Sequence, residues 1–236
     1  MDNSLTYSDG PLACRGWLAG GEADSQPRPG VVLFPDARGM GEAAKDCARR
    51  LAVEGYVVLV ADLYGQGTFA AEMAQAQSLM NELRADVDRW RRRARAALDA
   101  LATLAAVDRK RLAAIGYCFG GSTALELARD GASLGAVVSF HGGLASPRPQ
   151  DAANIKARVL VCHGAADPLV PSNHVTEFIA QLCKSPVDWQ FHSYAGAVHG
   201  FTNPEADQAG TPALAYNQAA DQQSWQAMLT LFRQVF

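Results

Sequence analysis

Leu112-Ala113-Ala114-Ile115-Gly116-Tyr117-Cys118-Phe119-Gly120-Gly121 is the stretch on which the reading of this chain turns. Residues of strand character, Leu112 to Ile115, run into a glycine-bracketed turn, and a helical pattern from Ser122 to Arg129 follows at once. The turn fits G-x-S-x-G with cysteine in the place of serine. A strand that turns straight into a helix strains its middle residue, and only hydrogens fit where Gly116 and Gly120 face each other's backbones. Such a turn lifts the Cys118 sulfur above a sheet and aims the first helix amides at it. Those amides favour a thiolate and can receive an oxyanion. Taken alone, the pattern reads equally well as a small buried cysteine beside a tight turn.

Outward from this stretch, strands alternate with helices. Tyr7 to Ala19 reads as one or two strands broken at Asp9-Gly10-Pro11. Pro27-Arg28-Pro29-Gly30 introduces the continuous apolar run Val31 to Phe34, of the kind a strand covered on both faces shows. A helix is expected from Glu42 to Glu54, a strand from Tyr56 to Ala61, and two helical parts from Thr68 to Ala105. Leu83, Val87, Trp90, Ala94, Leu98 and Leu101 there share one face at steps of three and four. Strands Ala136 to Ser139 and Val159 to Cys162, helix Val175 to Cys183, strand Asp188 to Tyr194 and helix Gln218 to Phe236 complete the pattern. Strand alternating with helix means βαβ units and a mostly parallel sheet with helices on both faces. The expected architecture is a single α/β domain over residues 1–236.

Composition excludes several classes. A formal charge of −3 gives no basic footprint for nucleic acid or an anionic membrane. The apolar runs fall far short of the roughly 20 residues of a spanning helix, and Met1-Asp2-Asn3-Ser4 lacks a secretory profile. Five cysteines, an odd count without a C-x-x-C pair, argue against a disulfide framework and a structural zinc site, and fit a reducing cytoplasm. No cofactor is expected.

In parallel sheets function collects on loops at the carboxyl ends of the strands. After Val159 to Cys162 comes His163-Gly164-Ala165-Ala166-Asp167-Pro168; after Asp188 to Tyr194 comes Ala195-Gly196-Ala197-Val198-His199-Gly200-Phe201. An aspartate before proline is usually a turn former and a loop histidine usually incidental. Yet Cys118, Asp167 and His199 stand in the chain order nucleophile, acid, histidine, each after a separate strand, as in α/β-hydrolase triads. Val31 to Phe34 leads into Pro35-Asp36-Ala37-Arg38-Gly39, where that fold supplies its second oxyanion-hole amide. The Ala37 and Phe119 amides are therefore the expected pair. Tyr64, Tyr117, Phe119, His141 and Phe201 are candidate pocket walls, with core packing an equal alternative for each.

Gly116-Tyr117-Cys118-Phe119-Gly120-Gly121, His163-Gly164-x-x-Asp167-Pro168 and His199-Gly200-Phe201-Thr202-Asn203-Pro204 resemble the dienelactone hydrolase family, as do Ala215-Tyr216-Asn217 and Ser224-Trp225 near the end. The resemblance implies an α/β-hydrolase domain that cleaves an ester or lactone of a small molecule through a Cys–His–Asp triad, as a monomer or small homo-oligomer. It also implies that an acidic residue after the third strand, usually Glu, contacts the resting cysteine. Asp36 holds that place, one methylene shorter. Dienelactone hydrolases proper grip the substrate carboxylate with two arginines, one of them four residues after the histidine. Asn203 stands at that position, and Phe69 to Leu83 contains no arginine for the other.

Other readings compete. Gly39-Met40-Gly41-Glu42-Ala43-Ala44 fits G-x-G-x-x-A, with Asp62 ending the next strand, as in a dinucleotide site. Pro35 to Arg38 separate that glycine from its strand, which counts against it. His141, His163, Asp167 and His199 lack the spacing of metal ligands. Arg89, Arg91, Arg92, Arg93 and Arg95 read as a solvated helix face, with Asp88 paired to Arg92 and Asp99 near Arg95. A hydrolase fold kept for binding and catalytically silent is the non-enzyme alternative.

Overall fold

A computed structural model of the chain describes residues 3–21 and 26–236; Met1 and Asp2 of the amino-terminal stretch lie outside them. Its strands are β1 (Ser4–Asp9), β2 (Leu12–Ala19), β3 (Arg28–Phe34), β4 (Val57–Val60), β5 (Val107–Tyr117), β6 (Ala136–Phe140), β7 (Arg158–Gly164) and β8 (Trp189–Tyr194). They form a mostly parallel sheet in the order β1-β2-β4-β3-β5-β6-β7-β8, the α/β-hydrolase arrangement. The helices among the described residues are α1 (Glu42–Val53), α2 (Met73–Arg84), α3 (Val87–Ala102), α4 (Phe119–Arg129), α5 (Ser172–Cys183) and α6 (Gln218–Val235). Residues 1–115 and 116–236 are two compact units, divided within β5.

In the first unit, β1 and β2 form a hairpin whose turn puts Gly10 at φ +57°, where glycine carries no Cβ penalty. Val31 to Phe34 and Val57 to Val60 are completely buried, as their unbroken apolar runs require. Asp86 caps α3 by accepting from the Asp88 and Arg89 amides at 3.1 and 3.0 Å. The expected stripe buries Trp90, Ala94, Leu98 and Leu101, with Leu83 on α2.

One reading is corrected here, and one competing reading loses its support. The arginine cluster is not a solvated face: Arg91 and Arg93 are buried, and Arg92 pairs with Asp9, not Asp88. Arg93 Nε and Arg92 Nε both donate to the Asp9 carboxylate at 2.7 Å, and Arg93 also donates to the Leu63 carbonyl at 2.9 Å. Helical periodicity could not reveal this, because the partner lies more than eighty positions away. Nor is Asp62 placed as a ribose ligand. It is buried, and its carboxylate accepts the backbone amides of Arg15, Tyr64, Gly65 and Gly67 at 2.7 to 3.1 Å, which shapes the loop after β4.

In the second unit, β6, β7 and β8 pair in parallel. β7 continues two residues beyond Cys162, because His163 and Gly164 pair with Ser193 and Tyr194. α4 is buried along its whole length, which forces its charged residues to pair internally. Arg129 donates to Glu126 at 2.8 Å and lies over the Phe178 ring. Cys14, Cys47 and Cys162 are buried, but Cys183 is exposed, although it falls on the helical pattern expected from Val175 to Cys183. It ends α5, which buries only Phe178 and Leu182. Among the described residues no helix is long and apolar enough to cross a membrane.

Asp9 has only 1% of its side chain exposed, so it depends on its arginines. Burial pushes its carboxyl up, but the hydrogen bonds and charges of Arg93 and Arg92 outweigh this and hold it below the ordinary 3.8. The stability it contributes is thus present above that value and lost as pH falls below it. Arg93→Met is expected to lower the unfolding free energy by about 3 kcal/mol in urea titrations near neutral pH, the usual cost of stranding one partner of a buried pair.

Candidate active site

The turn at Cys118 takes the shape that its glycines imply. Cys118 sits at φ 54°, ψ −119° between β5 and α4, a left-handed conformation for a residue with a side chain. A Cβ on Gly116 would overlap the Gly120 carbonyl and lie 2.7 Å from the Gly121 nitrogen. Any larger residue at 116 would therefore push strand and helix apart. The strained main chain is bonded on both sides. The Cys118 N–H is shared between the Phe140 carbonyl at 3.0 Å and His141 Nδ1 at 3.2 Å, and its carbonyl accepts from Gly121 and Ser122. Cys118 is half-buried, and α4 begins at the next residue, so the Phe119 amide opens the helix beside the sulfur.

Asp167 and His199 arrive on loops that are stitched together. The Ala166 N–H donates to the Ala197 carbonyl and the Ala165 N–H to the Tyr194 carbonyl, both at 2.9 Å. Gly164 is required where they cross, since a Cβ there would come within 2.8 Å of the Ala197 and Val198 carbonyl oxygens. Asp167 Oδ2 then lies 2.8 Å from His199 Nδ1, and Oδ1 accepts the Leu169 amide at 2.8 Å. His199 is held from the other side as well. The His199 N–H donates to the Ala213 carbonyl and its carbonyl accepts from Ala215, while the Asn217 N–H donates to the Phe201 carbonyl. Ala215 and Asn217, picked out in the sequence only by likeness, thus brace the histidine loop. The signal that would have found this physically is Asn217, whose side chain caps α6.

Burial pulls the His199 imidazole down. The hydrogen bond to Asp167 and the approach of the Cys118 sulfur, together with the charges of both, more than reverse this and raise it to about 10. Its Nε2 is buried with no hydrogen bond of normal length, so the Cys118 contact is looser than a formed bond, as resting catalytic pairs often are. His163 is also buried, but nothing bonds its Nδ1, and burial lowers it. Of the two histidines near Asp167, only His199 takes its carboxylate.

The pocket candidates separate. Phe201 is fully buried against His141 and Tyr194, which is packing rather than open wall. Tyr117 stacks on Phe140 at 4.6 Å and stays half-exposed. Asn203 Oδ1 accepts the Glu205 amide at 3.0 Å, a turn-forming bond. His141 is buried with both ring nitrogens engaged. In the first unit, the Tyr64 hydroxyl donates to the Ala37 carbonyl at 2.8 Å, and Asp36 Oδ1 accepts the Arg38 amide at 2.8 Å, which closes the turn after β3. No group of three or more His, Cys, Asp or Glu among the described residues is arranged to hold a metal ion.

The sequence profile of the dienelactone hydrolase family matches residues 15–236. The chain belongs to that family. Its members hydrolyse carboxylic esters or lactones, and this is a hydrolase of that class. The solved structure of m3DLH is 48% identical, with a TM-score of 0.95, and the match covers 99% of this chain and 97% of that one. A dienelactone hydrolase-like promiscuous phosphotriesterase from metagenomic libraries is 46% identical, with a TM-score of 0.95 over the same shares. A Yersinia pestis protein provisionally named a carboxymethylenebutenolidase is 29% identical, over 92% of this chain and 82% of its own.

The His199 C2 proton followed by NMR is expected to titrate near pH 10. Asp167→Asn removes the strongest cause of that rise, and the midpoint should fall well below that of the wild type.

Proposed function

We propose that this hydrolase cleaves uncharged small-molecule esters or lactones through a Cys118 thioester, with His199 as base and Asp167 as orienter. The observation that supports it most is the 2.8 Å Asp167–His199 bond on an imidazole that also feels the sulfur of a strained turn. The Cys118 proton passes to His199, whose positive charge Asp167 supports. The sulfur attacks the carbonyl carbon, a C–S bond forms, and the electron pair moves onto oxygen beside the Phe119 amide. One such donor is typically worth about 3 kcal/mol in the transition state. Collapse expels the alkoxide, which takes the His199 proton. A water molecule, deprotonated by His199, then hydrolyses the thioester, releasing acid and restoring the thiol. Asn203 favours uncharged substrates, because its side chain is engaged in a local turn and brings no cation where the family has one.

The phosphotriesterase relative supports a second use of the same sulfur: attack at the phosphorus of a neutral triester, with loss of an aryloxide.

Cys118→Ala is expected to abolish nitrophenolate release from both a nitrophenyl ester and a nitrophenyl phosphotriester. The wild type should yield a thioester adduct at Cys118 by mass spectrometry of a quenched reaction. Full turnover in Cys118→Ala would end the reading, and ester binding without turnover in the wild type would favour a silent binding protein. Iodoacetamide should modify Cys118 faster than the exposed Cys183. The role that likeness gives Asp36 is decided by Asp36→Asn. Slower acylation with a flattened acid limb is the expected result, and an unchanged profile leaves His199 as the sole activator.

A further inference from the structure

His141 is a buried histidine that the mechanism above does not use, and its surroundings are unusual. It follows β6 at φ +40°, one of three residues other than glycine with positive φ among those described. Cys118 is another, and the two are bonded to each other. The His141 N–H donates to the Cys162 carbonyl at 2.8 Å, which ties the strained residue to β7. Since Nδ1 accepts the Cys118 amide proton, the ring proton sits on Nε2, which donates to Thr202 Oγ1 at 2.9 Å. Thr202 lies three residues beyond His199. The imidazole meets the His199 ring edge-on at 5.1 Å between centroids and the Phe201 ring at 5.2 Å. Burial, and then the charge of His199, hold it neutral. Cys118, His199 and Tyr117, whose ring centroid lies 6.0 Å away, are the titratable groups set around it.

A polar ring with both nitrogens fixed has little to offer a substrate. It can, however, set a distance. One end holds the main chain of the nucleophile, and the other holds the loop that delivers the base. Both residues it joins need such support, because Cys118 is strained and the Cys118–His199 contact is not closed by a bond of its own. We propose that His141 is a positioning residue: a neutral strut that spaces Cys118 from His199 by bonding the nucleophile's amide and the hydroxyl of Thr202. The proposal rests on Cys118 and His199 being the nucleophile and base.

The two arms can be cut separately. Asparagine places its oxygen near the Nδ1 position and keeps the Cys118 arm; glutamine places its amide nitrogen near Nε2 and keeps the Thr202 arm. His141→Phe keeps the ring volume and loses both. On a nitrophenyl ester, His141→Phe is expected to lower kcat by about 10- to 100-fold, the range expected of misplacing reacting groups by an ångström or less. KM should stay within about 2-fold, since the strut does not touch substrate. His141→Asn and His141→Gln should fall between wild type and His141→Phe. Thr202→Val should slow the wild type but add nothing in the His141→Phe or His141→Asn background, as members of one chain of bonds do. A wild-type kcat in His141→Phe, or equal losses from Thr202→Val in every background, overturns the strut while Cys118→Ala remains inactive. Should His141→Phe not fold, the asparagine and glutamine variants combined with Thr202→Val separate a strut from a bystander by the same comparison. Activity in Cys118→Ala would instead remove the underlying reading.

Discussion

The contact on which the site depends is between two backbones. With hydrogens alone at Gly116 and Gly120, strand β5 and helix α4 approach closely enough that Cys118 must take up the whole change of direction. A residue with a side chain at φ 54° costs about 1 to 3 kcal/mol and persists only where its surroundings over-determine it. Here they do. The Cys118 amide has two acceptors, and its carbonyl has two donors. The same abruptness makes α4 start with no capping side chain and run buried along its length. Its Gly121 and Ser122 amides turn back to the Cys118 carbonyl, while Glu126 and Arg129, near its end, pair with each other.

Asp167 and His199 are set by a comparable device. Gly164 lets the turn after β7 pass under the Ala197 and Val198 carbonyls, and the Ala166 amide bonds across. The 2.8 Å Asp167–His199 bond is thus largely a consequence of main-chain geometry, which side-chain rotamers only complete. The segment before α6 adds a third support from behind. The Asp167–His199 pair is thus held by bonds in which the Asn203 side chain takes no part.

Much of this is legible in the sequence because its constraints are local. The strand–glycine–cysteine–glycine–helix order has one steric solution, and the apolar runs of β3 and β4 can only be buried. The order Cys118, Asp167, His199 is readable because chain order survives folding. What escapes is nonlocal or ambiguous in kind. The arginines of α3 read as solvated, since nothing near them in sequence says that Asp9 waits at the end of β1. Asp62 imitates a ribose ligand because a carboxylate after a strand looks the same whether it takes hydroxyls or four backbone amides. Cys183 reads as sheltered, yet its helix buries too little to cover it. His141 reads equally as pocket wall or core packing, since no sequence pattern announces two strained residues bonded to each other.

Three histidines, His141, His163 and His199, are buried in this half of the chain, and burial alone pulls each below 6.5. Only His199 is bonded to a carboxylate, so Asp167 does more than orient a ring: it decides which ring takes the charge. The signs then oppose one another. For His199 the folded value is raised, so its stabilisation is complete below 6.5 and is lost as pH rises through about 10. For His141 and His163 the folded values are lowered, so they oppose folding once pH falls below 6.5, where the unfolded rings take protons that the folded ones refuse. Between those limits one ring is charged and two are neutral. A second cation next to His199 would repel its proton, and a charged His141 would present a donor to the Cys118 amide where an acceptor is required. The arrangement of charge and the arrangement of hydrogen bonds in this site are therefore one constraint, met by placing a single carboxylate.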